Sequence, residues 1–231
     1  MNVLNVNGLR VLKQLLLVTL GAMIAVFSSS VLLPSYADTH KQAPVVLMLG
    51  NSLTAGYGLD AADTVPVRLQ QALRDAGTKA QIINGGVSGD TTAGGSARID
   101  WLFADGAPDV LVIELGGNDG LRGIDPSSTR KNLEVAIVKG LDAGAVVVLA
   151  GMYAPPNLGE SYETEFNGVF PDLAAQYSVI FYPFFLEGVA GDISLNQPDG
   201  IHPNEEGVRV IVKRFLPTIM KALEQVRLKN E

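Results

Sequence analysis

The ten residues VVLMLGNSLT, numbers 45–54, decide the fold class of this chain. Five consecutive apolar residues run up to Gly50, and a polar turn that contains a serine follows them. A short, continuous apolar run suits a strand covered on both faces, which is the usual state of strands in a parallel sheet. The stretch therefore predicts a buried strand that delivers Asn51 and Ser52 to the carboxyl edge of a sheet.

Segments of helical spacing alternate with further apolar runs along the rest of the chain. We predict strands over residues 45–50, 81–83, 110–115, 145–150 and 179–182. We predict helices over residues 65–76, 92–104, 126–141, 161–176 and 204–227, with prolines inside the last two. Strands that alternate with helices predict a single three-layer α/β domain: a five-stranded parallel sheet with helices on both faces.

The first 37 residues have the layout of a secretory signal peptide. They contain Arg10 and Lys13 but no acidic residue, then an apolar run, then Ser35-Tyr36-Ala37 with small residues at both positions that a signal peptidase reads. We predict cleavage after Ala37, a catalytic domain over 38–231, and a periplasmic or secreted bacterial protein. The alternative is an N-terminal membrane anchor, because the apolar run is long enough to span a bilayer.

Composition narrows the classes of partner. The 231 residues carry a net charge of −7, and without residues 1–37 the balance of 15 Lys and Arg against 24 Asp and Glu gives −9. An acidic surface argues against nucleic acid and anionic membranes as partners. The absence of cysteine excludes disulfides, thiolate catalysis and a lipid-modified N-terminal cysteine. We expect a monomer with a small-molecule partner, and no stable membrane partner once the signal is cleaved.

Three loops that follow predicted strands are rich in Gly, Asn, Asp and Ser, namely 50–53, 85–92 and 116–119. In a parallel α/β sheet, ligands bind outside the carboxyl ends of the strands. One such loop could serve only to turn the chain between strand and helix. Three of them at one edge favour a functional site.

The chain contains two histidines, His40 and His202, and His40 lies in a polar segment just after the predicted cleavage position. A histidine general base would therefore be His202. Asp199, three residues earlier, can fold back in a turn, accept the imidazole N–H and fix its tautomer. A lone histidine is more often structural, but Asp199 beside it and Ser52 at a strand end favour a Ser–His–Asp triad.

The segments 50–53 (GNSL), Gly89, 116–119 (GGND) and 199–202 (DGIH) resemble the four blocks of the SGNH, or GDSL-type, hydrolases. The longer runs GGNDGLRG at 116–123 and DGIHPN at 199–204 are most similar to the bacterial periplasmic thioesterase I, arylesterase and lysophospholipase subgroup. This resemblance covers the chain from residue 38 onward in the family's order. It implies a flavodoxin-like SGNH hydrolase fold and hydrolysis of aryl esters, acyl thioesters or lysophospholipids through an acyl-Ser52 intermediate.

The resemblance also implies residue roles. Ser52 would be the nucleophile, His202 the general base and Asp199 the residue that orients it. The backbone N–H groups of Ser52 and Gly89 and the side-chain amide of Asn118 would bind the oxyanion. The residues themselves indicate no metal, because His202 is the only histidine expected to pack, and no nucleotide cofactor, because no G-x-x-x-x-G-K motif occurs. Asp90 and Asp119 are expected to cap helices or turns. The chain departs from the family pattern at Asn51, where aspartate is usual; we expect Asn51 to keep a hydrogen bond to the loop backbone.

Apolar residues in two loops are candidates for an acyl groove, unless they simply pack in the core. They are Ala154, Pro155, Pro156, Leu158 and 184–186. Two other functions stay open from sequence: a carbohydrate O-deacetylase with the same triad, and a non-catalytic envelope-associated binding protein with the same fold.

Overall fold

The computed structural model describes residues 43–231, so the predicted signal peptide and His40 lie outside the described residues. Five strands form one parallel sheet: β1 Val45–Gly50, β2 Gln81–Gly86, β3 Val110–Glu114, β4 Val146–Ala150 and β5 Ile180–Tyr182. Their order across the sheet is β2-β1-β3-β4-β5. The predicted five-stranded parallel sheet is confirmed.

Seven α-helices connect and follow these strands within residues 43–231: α1 Ser52–Ala55, α2 Val65–Asp75, α3 Thr92–Leu102, α4 Gly117–Leu121, α5 Pro126–Asp142, α6 Glu160–Tyr177 and α7 Glu205–Lys229. The five long helices match the predicted ranges closely. The short α1 and α4 occupy strand-end segments that we predicted as loops. Pro171 and Pro217 lie inside α6 and α7 without ending them. Within residues 43–231, no helix has both the length and the hydropathy of a membrane span.

The helices divide between the two faces of the sheet. Helix α2 packs against α7, whereas α5 packs against both α3 and α6. Right-handed crossovers explain this division. The β1-to-β2 connection moves toward the β2 edge of the sheet and carries α2 on one face. The connections from β2 onward run the other way and carry α3, α5 and α6 on the opposite face.

The core lies on both sides of the central strands, where β3 and β4 are buried along their whole length. Strand β2 differs because it is an edge strand that pairs only with β1, and its Ile83 is 39% exposed. The expectation that every strand is covered on both faces is therefore wrong for β2. Parallel strands end at the same edge, so β1 and β3 bring α1 and α4 together there.

Candidate active site

Ser52 is the first residue of α1 and directly follows the N-cap, Asn51. The Asn51 side-chain oxygen accepts the Leu53 N–H at 2.9 Å, which satisfies one of the free donors of the first helical turn. The Asn51 backbone carbonyl accepts the Ala55 N–H at 2.9 Å. The expected hydrogen bond from Asn51 to its own loop is confirmed, and it holds Ser52 at the end of β1.

A local turn pairs Asp199 with His202. The Asp199 Oδ1 atom accepts the backbone N–H groups of Ile201 and His202, both at 3.1 Å. Gly200 has φ +76° within this turn, a left-handed conformation that glycine adopts without strain. The second carboxylate oxygen, Oδ2, then lies 2.7 Å from His202 Nδ1.

The remaining imidazole nitrogen, His202 Nε2, lies 2.9 Å from Ser52 Oγ. The structure thus brings the three predicted side chains into one hydrogen-bonded chain that runs Asp199–His202–Ser52. The hydrogen bond to His202 is the main cause that lowers the pKa of Asp199, and the two backbone N–H groups act in the same direction. Asp199 is therefore an anion at neutral pH, able to stabilise an imidazolium.

Two residues that we did not predict hold His202 in place. The Tyr57 ring packs beside the imidazole, with ring centroids 4.6 Å apart. Gln197 Nε2 donates to the Tyr57 carbonyl at 2.8 Å and to the Pro203 carbonyl at 3.0 Å. The Gln197 backbone N–H also donates to the His202 carbonyl at 2.7 Å. Gln197 thereby ties the segment after α1 to the histidine loop, a contact across 140 residues that no local pattern indicates.

The other two predicted oxyanion donors lie on neighbouring strand-end segments: Gly89 follows β2, and Asn118 follows β3. Asn118, in α4, uses one amide hydrogen to hold the Asp90 carbonyl at 2.8 Å, which leaves the second hydrogen for a ligand. Gly89 has φ +85°, and its carbonyl accepts from Arg122 Nη2 at 3.0 Å. Among the described residues, neither the Ser52 nor the Gly89 N–H donates a hydrogen bond to a protein acceptor.

The two aspartates expected to cap helices behave differently. Asp119 is fully buried and accepts the Thr92 N–H at 2.9 Å, so it does cap α3, from another segment of the chain. Asp90 instead forms an ion pair with Arg98 Nε at 2.7 Å, and the capping prediction is wrong for it. The helix already has a cap of its own, because Thr91 Oγ1 accepts the Gly94 N–H.

A cavity of about 300 Å³ opens beside Ser52, and most of its wall is apolar. Ser52, Asn118 and His202 line it, whereas Gly89 does not. Of the predicted acyl-groove residues, four line the cavity: Ala154, Pro155, Phe184 and Leu186. The prediction is wrong for Pro156, Leu158 and Phe185. Phe185 is fully buried and packs edge-on against Phe215 in the core.

Beneath the nucleophile lies a third residue that we did not predict, Glu114, the last residue of β3, with no exposed surface. Its carboxyl group contacts Asn51 and Thr54. Burial raises the pKa of Glu114 to about 8. A sequence signal existed, since Glu114 is the one charged residue in an otherwise apolar predicted strand.

Comparison with known proteins identifies the family of this chain. The model of the GDSL-like lipase/acylhydrolase family matches residues 48–210. Esterase TesA of Pseudomonas aeruginosa is 41% identical over 181 residues, which are 78% of this chain and 90% of the relative. Thioesterase 1/protease 1/lysophospholipase L1 of Escherichia coli K12 is 37% identical over 164 residues, 71% of this chain and 77% of the relative.

A solved structure extends the similarity to three dimensions. The crystal structure of TesA superposes with a TM-score of 0.73 at 41% identity, covering 76% of this chain and 97% of that one. The family match over residues 48–210 contains the strand-end segments, the histidine loop and the whole sheet except the start of β1. This chain therefore belongs to the GDSL-like lipase/acylhydrolase family.

Proposed function

We propose that this acylhydrolase-family enzyme cleaves carboxylic esters and thioesters through an acyl-Ser52 intermediate. One observation carries the proposal: the hydrogen-bonded chain Asp199–His202–Ser52 ends at an apolar cavity. Two relatives, named esterase and thioesterase/lysophospholipase, support the same class of substrate.

In the first half of the reaction, Ser52 Oγ attacks the carbonyl carbon of the substrate. At the same time, His202 Nε2 removes the proton of the Ser52 hydroxyl over the 2.9 Å hydrogen bond between them. The imidazolium that forms keeps its Nδ1–H on Asp199 at 2.7 Å, so its positive charge faces an anion. His202 then protonates the leaving alcohol or thiol. In the second half, His202 Nε2 removes a proton from water as the water oxygen attacks the acyl carbon. The bond to Ser52 Oγ then breaks, Ser52 takes the proton back from His202, and the carboxylic acid is released.

The oxyanion of the tetrahedral intermediate needs donors that are in place before the reaction begins. The Ser52 N–H, the Gly89 N–H and the second amide hydrogen of Asn118 are the donors that we propose. The Asn118 amide is held in orientation by the Asp90 carbonyl, and Gly89 by Arg122. Loss of one such donor typically costs roughly 100- to 1000-fold in kcat.

The cavity suits the acyl part of the substrate, because its wall is mostly apolar and the reacting groups lie on it. Its volume of about 300 Å³ is small for a ligand pocket, so we expect short and medium acyl chains to react fastest. Leu121, Tyr153 and Ile201 line the cavity and are also about half exposed, so a longer chain would run out over them.

We further propose that the protein acts outside the cytoplasm, in the periplasm or the medium, as a monomer that needs no cofactor. The basic, apolar and small-residue order of residues 1–37 supports export. N-terminal sequencing of the protein recovered from the periplasm or medium tests this proposal. A first residue of Asp38 would agree with it, and an intact N-terminus in the membrane fraction would favour the anchor.

The decisive experiment measures hydrolysis of p-nitrophenyl esters, from acetyl to palmitoyl, and of acyl-CoA thioesters. We expect Ser52→Ala to lose roughly a thousandfold or more in kcat, as removal of a catalytic nucleophile does. Ser128→Ala, an exposed serine on α5, is the matched control and should keep full activity. Equal activity in Ser52→Ala and the parent would overturn the proposal, and faster cleavage of acetylated sugars would favour the deacetylase function.

A further inference from the structure

The buried carboxyl group of Glu114 contacts the chain on both sides of the nucleophile. Glu114 Oε1 accepts the Asn51 side-chain amide at 3.0 Å. Glu114 Oε2 lies 2.7 Å from Thr54 Oγ1 and 3.4 Å from the Asn51 backbone nitrogen. Asn51 precedes Ser52 and Thr54 follows it by two residues, so one side chain holds both ends of the short segment that carries Ser52.

The packing around this group is tight. Asn51 is 2% exposed, and Thr54 and Glu114 are fully buried. Gly50 lies opposite Glu114 in the β1–β3 register, and any Cβ there would collide with Thr54 Oγ1 and Glu114 Oε2. Every buried side-chain nitrogen and oxygen in the described part of the chain has a hydrogen-bond partner. The cluster can therefore neither shift nor exchange its partners for water without cost.

No opposite charge compensates Glu114. Within the described residues, no Lys, Arg or His nitrogen lies within 4.0 Å of its oxygens, and neither Asn51 nor Thr54 titrates. Two pairs of titratable groups contact the segment: Arg98 donates to the Gly50 carbonyl at 3.0 Å and pairs with Asp90, and His202, which pairs with Asp199, lies 2.9 Å from Ser52 Oγ. Burial is the main cause that raises the pKa of Glu114 to about 8, and the hydrogen bonds from Thr54 and Asn51 oppose it.

Glu114 is consequently neutral in most molecules at pH 7. A neutral group beneath Ser52 places no negative charge where the oxyanion develops. The Asn51 amide supplies the second hydrogen bond and always carries its hydrogens. With aspartate at position 51, two carboxyl groups would face each other. They could form a hydrogen bond only while one of them is protonated, because two carboxylates repel each other.

We propose that Glu114 is a positioning residue for Ser52, which it holds through Asn51 and Thr54, with the Asn51 amide as a hydrogen-bond donor independent of pH. The proposal rests on the proposed function, because it assigns to Glu114 the placement of the proposed nucleophile. Ser52→Ala is therefore measured in the same series as every variant below.

The first comparison is Glu114→Ala against Glu114→Gln. Alanine removes both contacts, and we expect kcat to fall roughly tenfold or more while KM changes little, the pattern of an interaction that serves the reaction step. Glutamine resembles the neutral acid: its oxygen can accept from Asn51 and its amide can donate to Thr54, so kcat should stay within about twofold of the parent at pH 7. Val112→Ala, a buried change on the same strand, controls for lost stability and should leave kcat unchanged below its unfolding transition.

The second comparison uses pH. Because the pKa of Glu114 is raised from 4.5 to about 8 on folding, its contribution to stability is complete below pH 4.5 and is lost as the pH rises through 8. Urea unfolding at about pH 6 and about pH 9, on either side of this folded-state pKa, should show the loss in the parent and less of it in Glu114→Gln.

The third comparison changes Asn51. Between about pH 6 and about pH 9, Asn51→Asp should lose more stability and more kcat than the parent does. The double variant that combines Asn51→Asp with Glu114→Gln should not, because the glutamine amide can donate to the introduced aspartate. Each variant is compared with the parent at the same pH, so pH effects common to all variants cancel.

The outcomes separate the two proposals. If Ser52→Ala is inactive but Glu114→Ala keeps its full kcat, the positioning role of Glu114 is overturned and the assignment of Ser52 as nucleophile stands. Ser52→Ala active would overturn both. If Glu114→Ala does not fold, the test is Asn51→Asp alone against the double variant with Glu114→Gln. The proposal is contradicted if both lose the same stability and kcat at high pH, and it is supported if the double variant regains the values of the parent.

Discussion

The two loops that form the triad are built differently. The segment that carries Ser52 lies against the sheet, with Asn51 2% and Thr54 0% exposed and a buried carboxyl beneath them. The loop that carries the acid and base lies at the surface, where Ile201 is 47% exposed and the Asp199 side chain 38%. The nucleophile is positioned by packing, whereas the base is positioned by a local turn and by Gln197.

This difference separates stability from activity. Changes beneath Ser52 disturb buried hydrogen bonds and close packing, both of which stabilise the folded state. Changes in the histidine loop disturb groups that are exposed or, like the 17% exposed His202 side chain, only partly buried, and their loss costs less stability. A surface loop also leaves His202 accessible to substrate and water, as both halves of the proposed reaction require. The comparison predicts that mutations beneath Ser52 lower the unfolding free energy more than mutations in the histidine loop do.

The largest expected effect is on activity, in the exposed loop. His202→Ala removes the proposed base, and we expect kcat to fall roughly a thousandfold or more. The midpoint of urea unfolding should stay close to that of the parent, because His202 contacts mainly Asp199, Ser52 and Tyr57 at the surface. A large fall in stability together with kcat would show that the histidine loop is as structural as the Ser52 segment.

The next effect is on stability, beneath the nucleophile. Gly50→Ala would force a methyl group into Thr54 and Glu114, and overpacking of this kind typically costs about 1–3 kcal/mol of unfolding free energy. Gly168→Ala is the matched control in α6, where nothing lies within 4 Å of the added carbon, and it should be neutral or slightly stabilising. Equal unfolding free energies for the two variants, measured in urea, would contradict the tight packing argued for Gly50.

The smallest effect tests the contact between the two loops. Gln197→Ala removes the side-chain hydrogen bonds to the carbonyls of Tyr57 and Pro203, and we expect kcat/KM to fall roughly tenfold with a loss of about 1 kcal/mol in stability. Gln71→Ala, which loses only an exposed hydrogen bond to Asp75, is the control and should match the parent. An unchanged kcat/KM in Gln197→Ala would mean that the Asp199 turn alone positions His202.

Much of the fold and the Asp199–His202 pair could be predicted because each rests on short-range patterns. Ser52 was added to that pair because of its strand-end position and the resemblance to the SGNH hydrolases. Apolar runs of strand length and helical spacing of apolar residues located every strand and every long helix within the described residues. The three-residue spacing of Asp199 and His202 indicated their turn. The acyl groove was only half predictable: Phe184, Phe185 and Leu186 are equally apolar, and they lie in a segment with no regular period that could say which side chain points inward.

The sequence by itself determined the alternation of strands and helices, the polar strand-end segments and the Asp199–His202 pair, because each depends on interactions between near neighbours in the chain. Only the tertiary structure decided that His202 meets Ser52, that Gln197 reaches Tyr57 and that Glu114 lies beneath the nucleophile. These contacts join residues 150, 140 and 63 positions apart. They exist because the sheet order places β1 beside β3 and the chain after β5 returns to the same edge, which no local periodicity specifies.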